Sequence, residues 1–290
     1  MYCPNMAEES RLSVIPRLRM MRPDLTEREQ AILNFLLDNA EDARALKISK
    51  VADRFEVSES MIVKLAKRVG FSGFRELKAQ LTDYGTSSVA VLYEEVRPSD
   101  DASAIVRKLF NASIQALEET LAILDLEQFK RASDLFYRAF TRDIYGSGGS
   151  AAIARDAAHK FLRIGMRCAC YEDAHLMAMS AATLTTNDVV LAVSHSGQSA
   201  VVLEAVRVAK TRGVPVIALT SYQNSRIAQY ADAALVSTAR SSPFTGENAA
   251  ARIAQLNLID ALFVSVAFKD RARAEDNLSR TMQAVEEKRE

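Results

Sequence analysis

The hydrophobic and polar residues follow two different patterns along the chain, and the pattern changes near Ile144. From Leu25 to about Leu81 the apolar residues recur at intervals of three or four, which predicts a series of short α-helices. Thr26 and Glu29 form a capping-box pattern that starts the first of them. After Ile144, apolar runs alternate with helical patterns, and the runs are DIYG, MRCACY, DVVLAVS, VPVIALT and AALVS. Because such alternation is typical of parallel βαβ units, we expect an all-α N-terminal region and an α/β C-terminal region.

Residues 48–69 predict two short helices joined by a tight turn at Glu56–Val57. Ser58 can cap the second helix and Gly70 can end it. This arrangement matches a helix-turn-helix, in which the second helix enters the major groove of DNA. A plain three-helix bundle with a solvated face has the same periodicity, so the pattern alone leaves both interpretations open.

The second of these helices leaves a polar and cationic face outside its apolar stripe. Residues of its first turn could reach base edges, while its lysines and arginine could neutralise phosphates and release counterions. The residues expected to contact DNA are Ser58, Glu59, Ser60, Met61, Val63, Lys64, Lys67 and Arg68. The inward stripe is expected to be Ile62, Leu65, Ala66 and Val69.

The segment ISKVADRFEVSESMIVKLAKRVGFSGFRELKAQL resembles the N-terminal helix-turn-helix domain of the RpiR family of bacterial sugar-phosphate-responsive transcription regulators. Its ending, GFSGFRELK, is the most specific part, and the resemblance favours DNA binding over the plain bundle. The chain departs from the family in four places. Lys47 replaces a frequent capping Ser, Glu56 a common turn Gly, and Met61 and Val63 replace small hydroxyl residues. In a left-handed turn, Glu56 would cost about 1 kcal/mol relative to Gly.

Two loops rich in serine and glycine follow predicted strands. The strand DIYG runs into GSGGSA, and DVVLAVS ends in SHSGQS, each before a helical pattern. Backbone N–H groups and a helix N-terminus favour an anion, and serine hydroxyls can solvate a phosphate without a lysine. Both loops lie at the carboxyl ends of strands, where open α/β sheets bind ligands. We therefore expect a phosphate group there, although turn and cap chemistry would also use serines.

The first loop also satisfies the fingerprint of a dinucleotide-binding fold. Gly146, Gly148 and Ala151 have the required spacing, and Glu172 could accept a hydrogen bond from a ribose. A dinucleotide would need no second serine loop, so this hypothesis of a dinucleotide-dependent enzyme ranks below phosphate binding.

The two loops together resemble those of the sugar isomerase (SIS) domain, which binds phosphosugars, and the similarity covers nearly everything from Ile144 to Phe268. The resemblance implies a three-layer α/β fold with a five-stranded parallel sheet, Rossmann-like and of flavodoxin type. It implies that Ser147 and Ser150 line the first loop while the serines of the second loop hold the phosphate. The expected ligand contacts are Ser147, Gly148, Ser150, Glu172, Ser194, Ser196, Gly197, Gln198 and Ser199, where Ser199 replaces a commoner Thr.

An isomerase would need a base placed between C1 and C2 of the sugar. The candidates are Glu172, Asp173, His175, His195 and Glu247, and each can equally be a cap, a surface residue or a core histidine. Binding without turnover is more economical, because an attached helix-turn-helix gives the bound sugar something to control. We expect a regulator without catalytic residues, cofactor or metal, and a SIS-class isomerase of a ketose or aldose phosphate remains the alternative.

Composition limits the possible partners. Lys+Arg and Asp+Glu number 37 each, so any DNA contact must be local.

The cysteines Cys3, Cys168 and Cys170 lack the spacing of a disulfide framework or a zinc site. The longest apolar stretch, near Ala261–Phe268, is shorter than the roughly 20 residues that cross a bilayer. With no signal pattern at the N-terminus, a cytoplasmic protein without a membrane partner is expected.

Four parts are expected along the chain. Residues 1–82 form the DNA-binding domain, 83–125 a linker and connecting helix, 126–270 the SIS domain and 271–290 a charged C-terminal tail. The expected partners are a double-stranded DNA operator and a sugar phosphate. Because one helix-turn-helix makes a small interface, we expect a homodimer or homotetramer whose reading helices contact half-sites about 34–36 Å apart.

Overall fold

The computed structural model describes residues 14–40, 43–85, 96–238 and 249–286. The chain divides into two compact units. The first unit comprises Met1–Ile123 with Thr238–Ala250, and the second comprises Leu124–Ser237 with Ala251–Glu290. The helix that follows residue 101, expected to be part of a connection, is thus grouped with the first unit.

The described part of the first unit is helical. Its helices are α1 (Val14–Met21), α2 (Glu27–Asp38), α3 (Ile48–Phe55), α4 (Glu59–Arg68), α5 (Phe74–Gly85) and α6 (Ala102–Ile123). The first five share a core, because the inward stripes of these helices meet in one cluster. The cluster includes Ile15, Leu18, Ile32, Leu36, Ile62, Leu65, Leu77 and Leu81.

The helix-turn-helix elements begin and end close to where the sequence places them. The Thr26 side chain caps α2 and the Glu29 side chain binds back to the Thr26 backbone, which confirms the capping box. Glu56 ends α3 with φ 52° and ψ 48°, in the left-handed region expected for the turn. Helix α1 was not predicted, because residues 1–24 show no clear period, yet Ile15 and Leu18 are buried in the core.

The second unit is built around a five-stranded parallel sheet. Its strands are β1 (Arg142–Gly146), β2 (Cys168–Tyr171), β3 (Val189–Val193), β4 (Val216–Thr220) and β5 (Ala233–Val236). They lie in the order β2-β1-β3-β4-β5, which is the flavodoxin order that was expected. Helices cover both faces, so the predicted three-layer α/β architecture is confirmed.

The helices of the second unit divide between the two faces of the sheet. They are α7 (Leu126–Arg138), α8 (Gly149–Arg163), α9 (Ala174–Ala181), α10 (Ala200–Thr211), α11 (Arg226–Tyr230), α12 (Ala249–Ala267) and α13 (Arg271–Glu286). Residues of α7, α8 and α12 share one core cluster with the sheet, and residues of α9, α10 and α11 share the other. Strand β2 is an edge strand, so Cys168 and Cys170 are only partly buried rather than fully buried.

The apolar stretch that includes helix α12 is longer than the one predicted near Ala261–Phe268. The helical stretch Ala249–Glu286 contains an 18-residue window with mean hydropathy 1.4, long and apolar enough to cross a membrane. The expectation of a much shorter apolar stretch was therefore too narrow. In the fold, Leu258, Ile259 and Leu262 are buried in the core cluster of the second unit, which accounts for the apolar composition of this helix.

The predicted linker and the predicted C-terminal tail differ in part from the structure. In the segment predicted as a linker and connecting helix, 83–125, residues 86–95 lie outside the described part, as does Cys3, and Ala102–Ile123 form α6. The charged C-terminal segment forms α13, which buries Ala274 and donates a hydrogen bond from the Asn277 side chain to the carbonyl of Ile164.

Candidate functional site

The two serine-rich loops leave the sheet side by side. Gly146, the last residue of β1, is aligned with Val193, the last residue of β3, in a parallel pair. The segments that follow are Ser147–Ser150, here called the first loop, and Ser194–Ser199, the second loop. Strands β1 and β3 are neighbours at the point where the strand order reverses, and ligands of open α/β sheets bind at such a crevice.

The first loop turns through Gly148 into α8. Gly148 has φ 57° and nothing lies within 4 Å of the position that its β-carbon would occupy. The backbone of Ser150 donates a hydrogen bond to the carbonyl of Ser147 at 3.2 Å. Ser147 and Ser150 are half-buried, so neither residue is enclosed in the core.

The second loop is fixed through Gly197. This residue has φ 62°, and a β-carbon there would collide with the side chain of Ser225. Its carbonyl accepts a hydrogen bond from the backbone of Ile227 at 3.1 Å. The Ser196 hydroxyl accepts a hydrogen bond from the backbone of Gln198 at 3.2 Å, which stiffens the turn before α10. The loop is therefore anchored at Gly197 to the segment that begins α11.

Most of the serine hydroxyls in the two loops have no hydrogen-bond partner within the described part of the chain. There, the hydroxyls of Ser147, Ser150, Ser194 and Ser199 form no hydrogen bond, and Ser196 is the loop serine whose side chain serves a turn. Neither Gly148 nor Ser199, the N-cap residues of α8 and α10, provides a side-chain cap among the described residues. Turn chemistry thus explains Ser196 alone, and the other hydroxyls and two helix N-termini are suited to an anion.

Glu172 and the acidic residue after it have partners outside the two loops. Glu172 follows the edge strand β2 and forms an ion pair with Arg155 of α8. The Asp173 side chain caps α9 by accepting hydrogen bonds from the backbones of His175 and Leu176 at 2.9 and 3.0 Å. These contacts match the ordinary structural roles considered for both carboxylates. Glu247, another candidate base, lies outside the described residues.

His195 is held inside the second loop. Its side chain is buried, and Nδ1 lies 2.9 Å from the hydroxyl of Ser221. The ring of Tyr222 packs edge-on against it at 5.8 Å between centroids. Ser221 also lies 2.7 Å from the hydroxyl of Ser237, and Gln255 of α12 donates to both hydroxyls. His195 is therefore a core histidine that anchors the loop to strands β4 and β5.

One cation near the first loop was missed by sequence reasoning. Arg252, in the first turns of α12, places Nη2 2.9 Å from the position of a β-carbon on Gly149. Arg252 is exposed, and it has no ion pair among the described residues. No local sequence pattern indicates that Arg252 lies beside Gly149. The signal that could have identified Arg252 is its position as an isolated arginine in the run AAARIAQL of an otherwise apolar helix.

Helix α4 presents most of the predicted DNA-contacting residues to solvent. Its N-cap Ser58 accepts a hydrogen bond from the backbone of Met61 at 3.3 Å and lies 2.9 Å from the hydroxyl of Ser60. The exposed residues are Ser58, Glu59, Ser60, Lys64, Lys67 and Arg68, and Met61 and Val63 are half-buried. The inward stripe Ile62, Leu65, Ala66 and Val69 is buried as expected.

Arg68 has a structural role in addition to the predicted one. Its guanidinium forms an ion pair with Glu29 at 2.9 Å and donates a hydrogen bond to the carbonyl of Asp24 at 2.7 Å. These partners lie at the start of α2, so Arg68 ties the last turn of α4 to the capping box.

A groove beside α4 is lined by cations that lie outside the set of predicted DNA-contacting residues. It has a volume of about 880 Å³ and runs between the N-termini of α3 and α5, with Val63 of α4 on its wall. Lys47, Arg75 and Lys78 contribute its positive charge, and the Lys78 amino group donates to the carbonyl of Leu46 at 3.3 Å. Lys47 stands where the resemblance leads one to expect a capping Ser, which is the signal that could have identified it.

The described residues contain no group of three or more His, Cys, Asp or Glu side chains that could hold a metal ion. Burial raises the pKa of the Cys168 thiol to about 12, although the nearby Arg142 charge acts in the opposite direction. A thiol with such a pKa stays protonated at neutral pH and is a poor nucleophile.

Comparison with known proteins identifies the two domains that carry these sites. Residues 12–88 match the model of the helix-turn-helix domain of the rpiR family, and residues 135–265 match the SIS domain. The HTH-type transcriptional regulator RpiR of Escherichia coli K12 is 44% identical over 270 residues, which span 93% of this chain and 91% of that protein.

Two solved structures extend the comparison. The Vibrio vulnificus NanR protein complexed with ManNAc-6P has a TM-score of 0.60 at 25% identity, covering 94% of this chain and 97% of that one. The sugar isomerase domain of the RpiR transcription factor from Sphaerobacter thermophilus has a TM-score of 0.57 at 25% identity, covering 61% and 97%.

A helix-turn-helix joined to a SIS domain defines a class of DNA-binding regulators rather than an enzyme class, and the named relative at 44% identity is a regulator. Within this class, the chain belongs to the RpiR family of helix-turn-helix transcriptional regulators. The resemblance inferred from the motifs is thereby confirmed.

Proposed function

We propose that this protein binds operator DNA through α4 and that a sugar phosphate, held between the first and second loops, changes its affinity for the operator. One observation carries the proposal: the loops start from the aligned residues Gly146 and Val193, and four of their hydroxyls have no partner among the described residues. The ManNAc-6P in the NanR structure supports a phosphosugar as the class of ligand.

The phosphate would lie against the N-termini of α8 and α10. Aligned peptide dipoles make both helix ends positive, so a dianion there needs no lysine. We propose that Ser194, Ser196 and Ser199 hold the phosphate with the backbone of Gly197 and Gln198. Ser147, Gly148 and Ser150 would contact the ligand from the first loop, and Glu172, paired with Arg155, would face the sugar.

On the DNA side, the first turn of α4 would reach base edges from Ser58, Glu59, Ser60 and Met61, with Val63 contacting thymine methyl groups. Lys64 and Lys67 are exposed and would neutralise phosphates, and Arg68 would do so only from its position beside Glu29. The adjacent groove supports further backbone contacts from Lys47 and Arg75.

We propose a cytoplasmic homodimer or homotetramer joined through the second unit. Helix α12 is predominantly apolar and its apolar residues are not confined to one side, which is typical of a helix buried all round. Yet Ile253, Val264 and the following Phe268 are 42%, 45% and 69% exposed in the single chain. Light scattering would show a monomer for Val264→Asp combined with Phe268→Asp if these residues form the interface.

The proposal is tested with a duplex selected from a random DNA pool and a panel of aldose and ketose 5- and 6-phosphates. A ligand is identified by the rise in unfolding temperature it causes, since binding stabilises the native state. Operator affinity is then measured by fluorescence polarisation with and without that ligand. We expect a change of about 5–150-fold, the usual size of such coupling.

Ser196→Ala combined with Ser199→Ala should remove the response to the ligand while DNA binding is kept. Each hydroxyl bond to a charged group contributes about 1.5–3 kcal/mol, so ligand affinity should fall about 100-fold or more. The matched control is Ser103→Ala with Ser279→Ala, two exposed serines on α6 and α13. A retained response in the loop variant would refute the assignment of the pocket, and turnover of the sugar phosphate would favour an isomerase.

A further inference from the structure

One buried carboxylate in the first unit gathers four segments of the chain. Glu119 of α6 is 1% exposed and accepts two hydrogen bonds from Arg19 of α1, at 2.9 and 3.1 Å. It also accepts hydrogen bonds from the hydroxyl of Tyr84 of α5 and, at 2.8 Å, from the hydroxyl of Thr238. The backbone N–H of Thr238 donates to the Thr120 hydroxyl at 3.0 Å. Thr238 is thus bound to α6 through both its side chain and its backbone.

Ser237, the residue before Thr238 in the chain, belongs to a second set of buried hydrogen bonds. The chain passes from the second unit to the first between Ser237 and Thr238. Ser237 is fully buried, and its hydroxyl lies 2.7 Å from that of Ser221. Ser221 in turn contacts Nδ1 of His195 at 2.9 Å and donates its backbone N–H to the His195 carbonyl at 2.9 Å. His195 lies in the second loop, between two of the serines proposed to hold the phosphate.

The order of these contacts is therefore His195, Ser221, Ser237, one peptide bond, Thr238 and Glu119. Every group in this series is buried, and a buried polar group that loses its partner pays the full cost of desolvation. A satisfied network of this kind holds its members rigidly together, so displacement of one member acts on the next. Glu119 also carries a charge balanced by Arg19, which makes loss of a donor at this carboxylate especially costly.

We propose that Thr238 and Glu119 couple the sugar-phosphate pocket to the DNA-binding helices. Ligand binding at the second loop would displace His195 and Ser221, and Ser237 would transmit the displacement to Thr238. The hydrogen bond from Thr238 to Glu119 would then determine how strongly the Glu119 carboxylate binds Arg19 of α1 and Tyr84 of α5. Both helices pack in the core that supports α4, so Thr238 and Glu119 are positioning residues for DNA binding. This inference rests on the proposed function.

The decisive variant is Thr238→Val, which removes the hydroxyl but keeps the shape of the side chain and the backbone bond to Thr120. Thr238→Ser, which retains the hydroxyl, is the matched control. For each protein, operator affinity is measured with and without the panel sugar phosphate that most stabilises the wild type. The affinity for that sugar phosphate is measured without DNA.

We expect Thr238→Val to bind the sugar phosphate within about twofold of the wild type while the ligand-induced change in operator affinity falls below about twofold. Thr238→Ser should keep the wild-type change, which is typically 5–150-fold. A wild-type response in Thr238→Val would overturn the coupling role and leave the proposed function intact. A wild-type protein whose operator affinity ignores every sugar phosphate would overturn the proposed function itself.

A second variant provides the test if Thr238→Val is too unstable to fold. If Thr238→Val fails to fold, as judged by its unfolding transition, Ser237→Ala breaks the series one residue earlier. Lost coupling with retained sugar-phosphate binding in Ser237→Ala supports the proposal, and full coupling in that variant contradicts it.

Discussion

The guanidinium of Arg252 lies over Gly149, with Nη2 2.9 Å from the position that a β-carbon would take on that glycine. Gly149 is the first residue of α8, so a full positive charge lies beside the positive end of a helix dipole. Two positive potentials at one place repel each other, and an anion between them removes that repulsion. Arg252 is therefore expected to contact the phosphate of the ligand.

Arg252→Gln should weaken binding of a sugar phosphate about 10-fold or more, because a charge-assisted hydrogen bond contributes about 1.5–3 kcal/mol. Affinity for the same sugar without its phosphate should not change, and titration calorimetry with both ligands checks this. The control is Arg207→Gln, an exposed arginine of α10 that pairs with Glu204. Equal losses for the two ligands would show that Arg252 acts on the fold instead.

Lys64→Ala and Lys67→Ala should each weaken operator binding by removing one phosphate contact. Each contact releases counterions, so the slope of log affinity against log salt should fall by about 1 per lysine. Polarisation titrations at several salt concentrations measure this slope. Lys269→Ala, which removes a lysine paired with Asp134 in the second unit, is the control and should leave it unchanged. An unaltered slope in both α4 variants would place the DNA elsewhere.

Glu56→Gly should stabilise the first unit. Glu56 is held at φ 52°, where a residue with a β-carbon pays about 1–2 kcal/mol. Glycine removes this strain, but its greater freedom in the unfolded chain lowers the free energy of unfolding by about 0.4–1 kcal/mol. The net increase in the free energy of unfolding should therefore be up to about 1 kcal/mol. Urea unfolding followed by circular dichroism measures it. Glu56→Ala keeps the strain and should gain nothing, and an equal gain in that control would rule out the turn as its source.

Asp188→Asn should destabilise the second unit in a pH-dependent way. Burial acts to raise the pKa of Asp188, but hydrogen bonds from Thr185 and Thr141 hold it below its usual range. A lowered folded-state pKa means that the ionised carboxylate stabilises the fold above the unfolded pKa of about 3.9 and that this contribution is lost as pH falls through the folded value. We expect a loss of about 2 kcal/mol at pH 7.

The difference between Asp188→Asn and the wild type should shrink as the pH falls below about 4. Urea unfolding at pH 7, 5 and 3.5 follows it. Asp276→Asn, which removes an exposed partner of Arg280 on α13, should have little effect at any of these pH values. A difference for Asp188→Asn that is the same at every pH would contradict the assigned role of its charge.

The sequence predicted the features that depend on local spacing. The stripe of Ile62, Leu65 and Ala66 and the buried strands follow from hydrophobic periodicity, which burial of one face imposes on nearby residues. The left-handed turn at Glu56 was also predictable from the resemblance, because Gly commonly makes this turn in the family. The loops after β1 and β3 could be paired because parallel strands end at one edge.

Features set by distant pairings could not be predicted. Arg68 and Glu29 are 39 residues apart, and Glu119 and Thr238 are 119 apart. Nothing in the neighbourhood of either residue indicates its partner, since tertiary packing alone brings them together. Helix α1 was missed for a related reason: its burial of Ile15 is decided by the other helices rather than by its own short pattern.

The bond from Arg68 to Glu29 and Asp24 has a consequence for how the protein discriminates between sequences. Ser58 caps one end of α4, and Arg68 binds the start of α2 at the other end, so side-chain hydrogen bonds hold both ends of the proposed reading helix in the free protein. Little conformational freedom is left to lose on association, and little adjustment is available to accommodate a mismatched site. Under the proposed function, a bound sugar phosphate would then change how α4 is presented to the operator rather than the bases that α4 prefers.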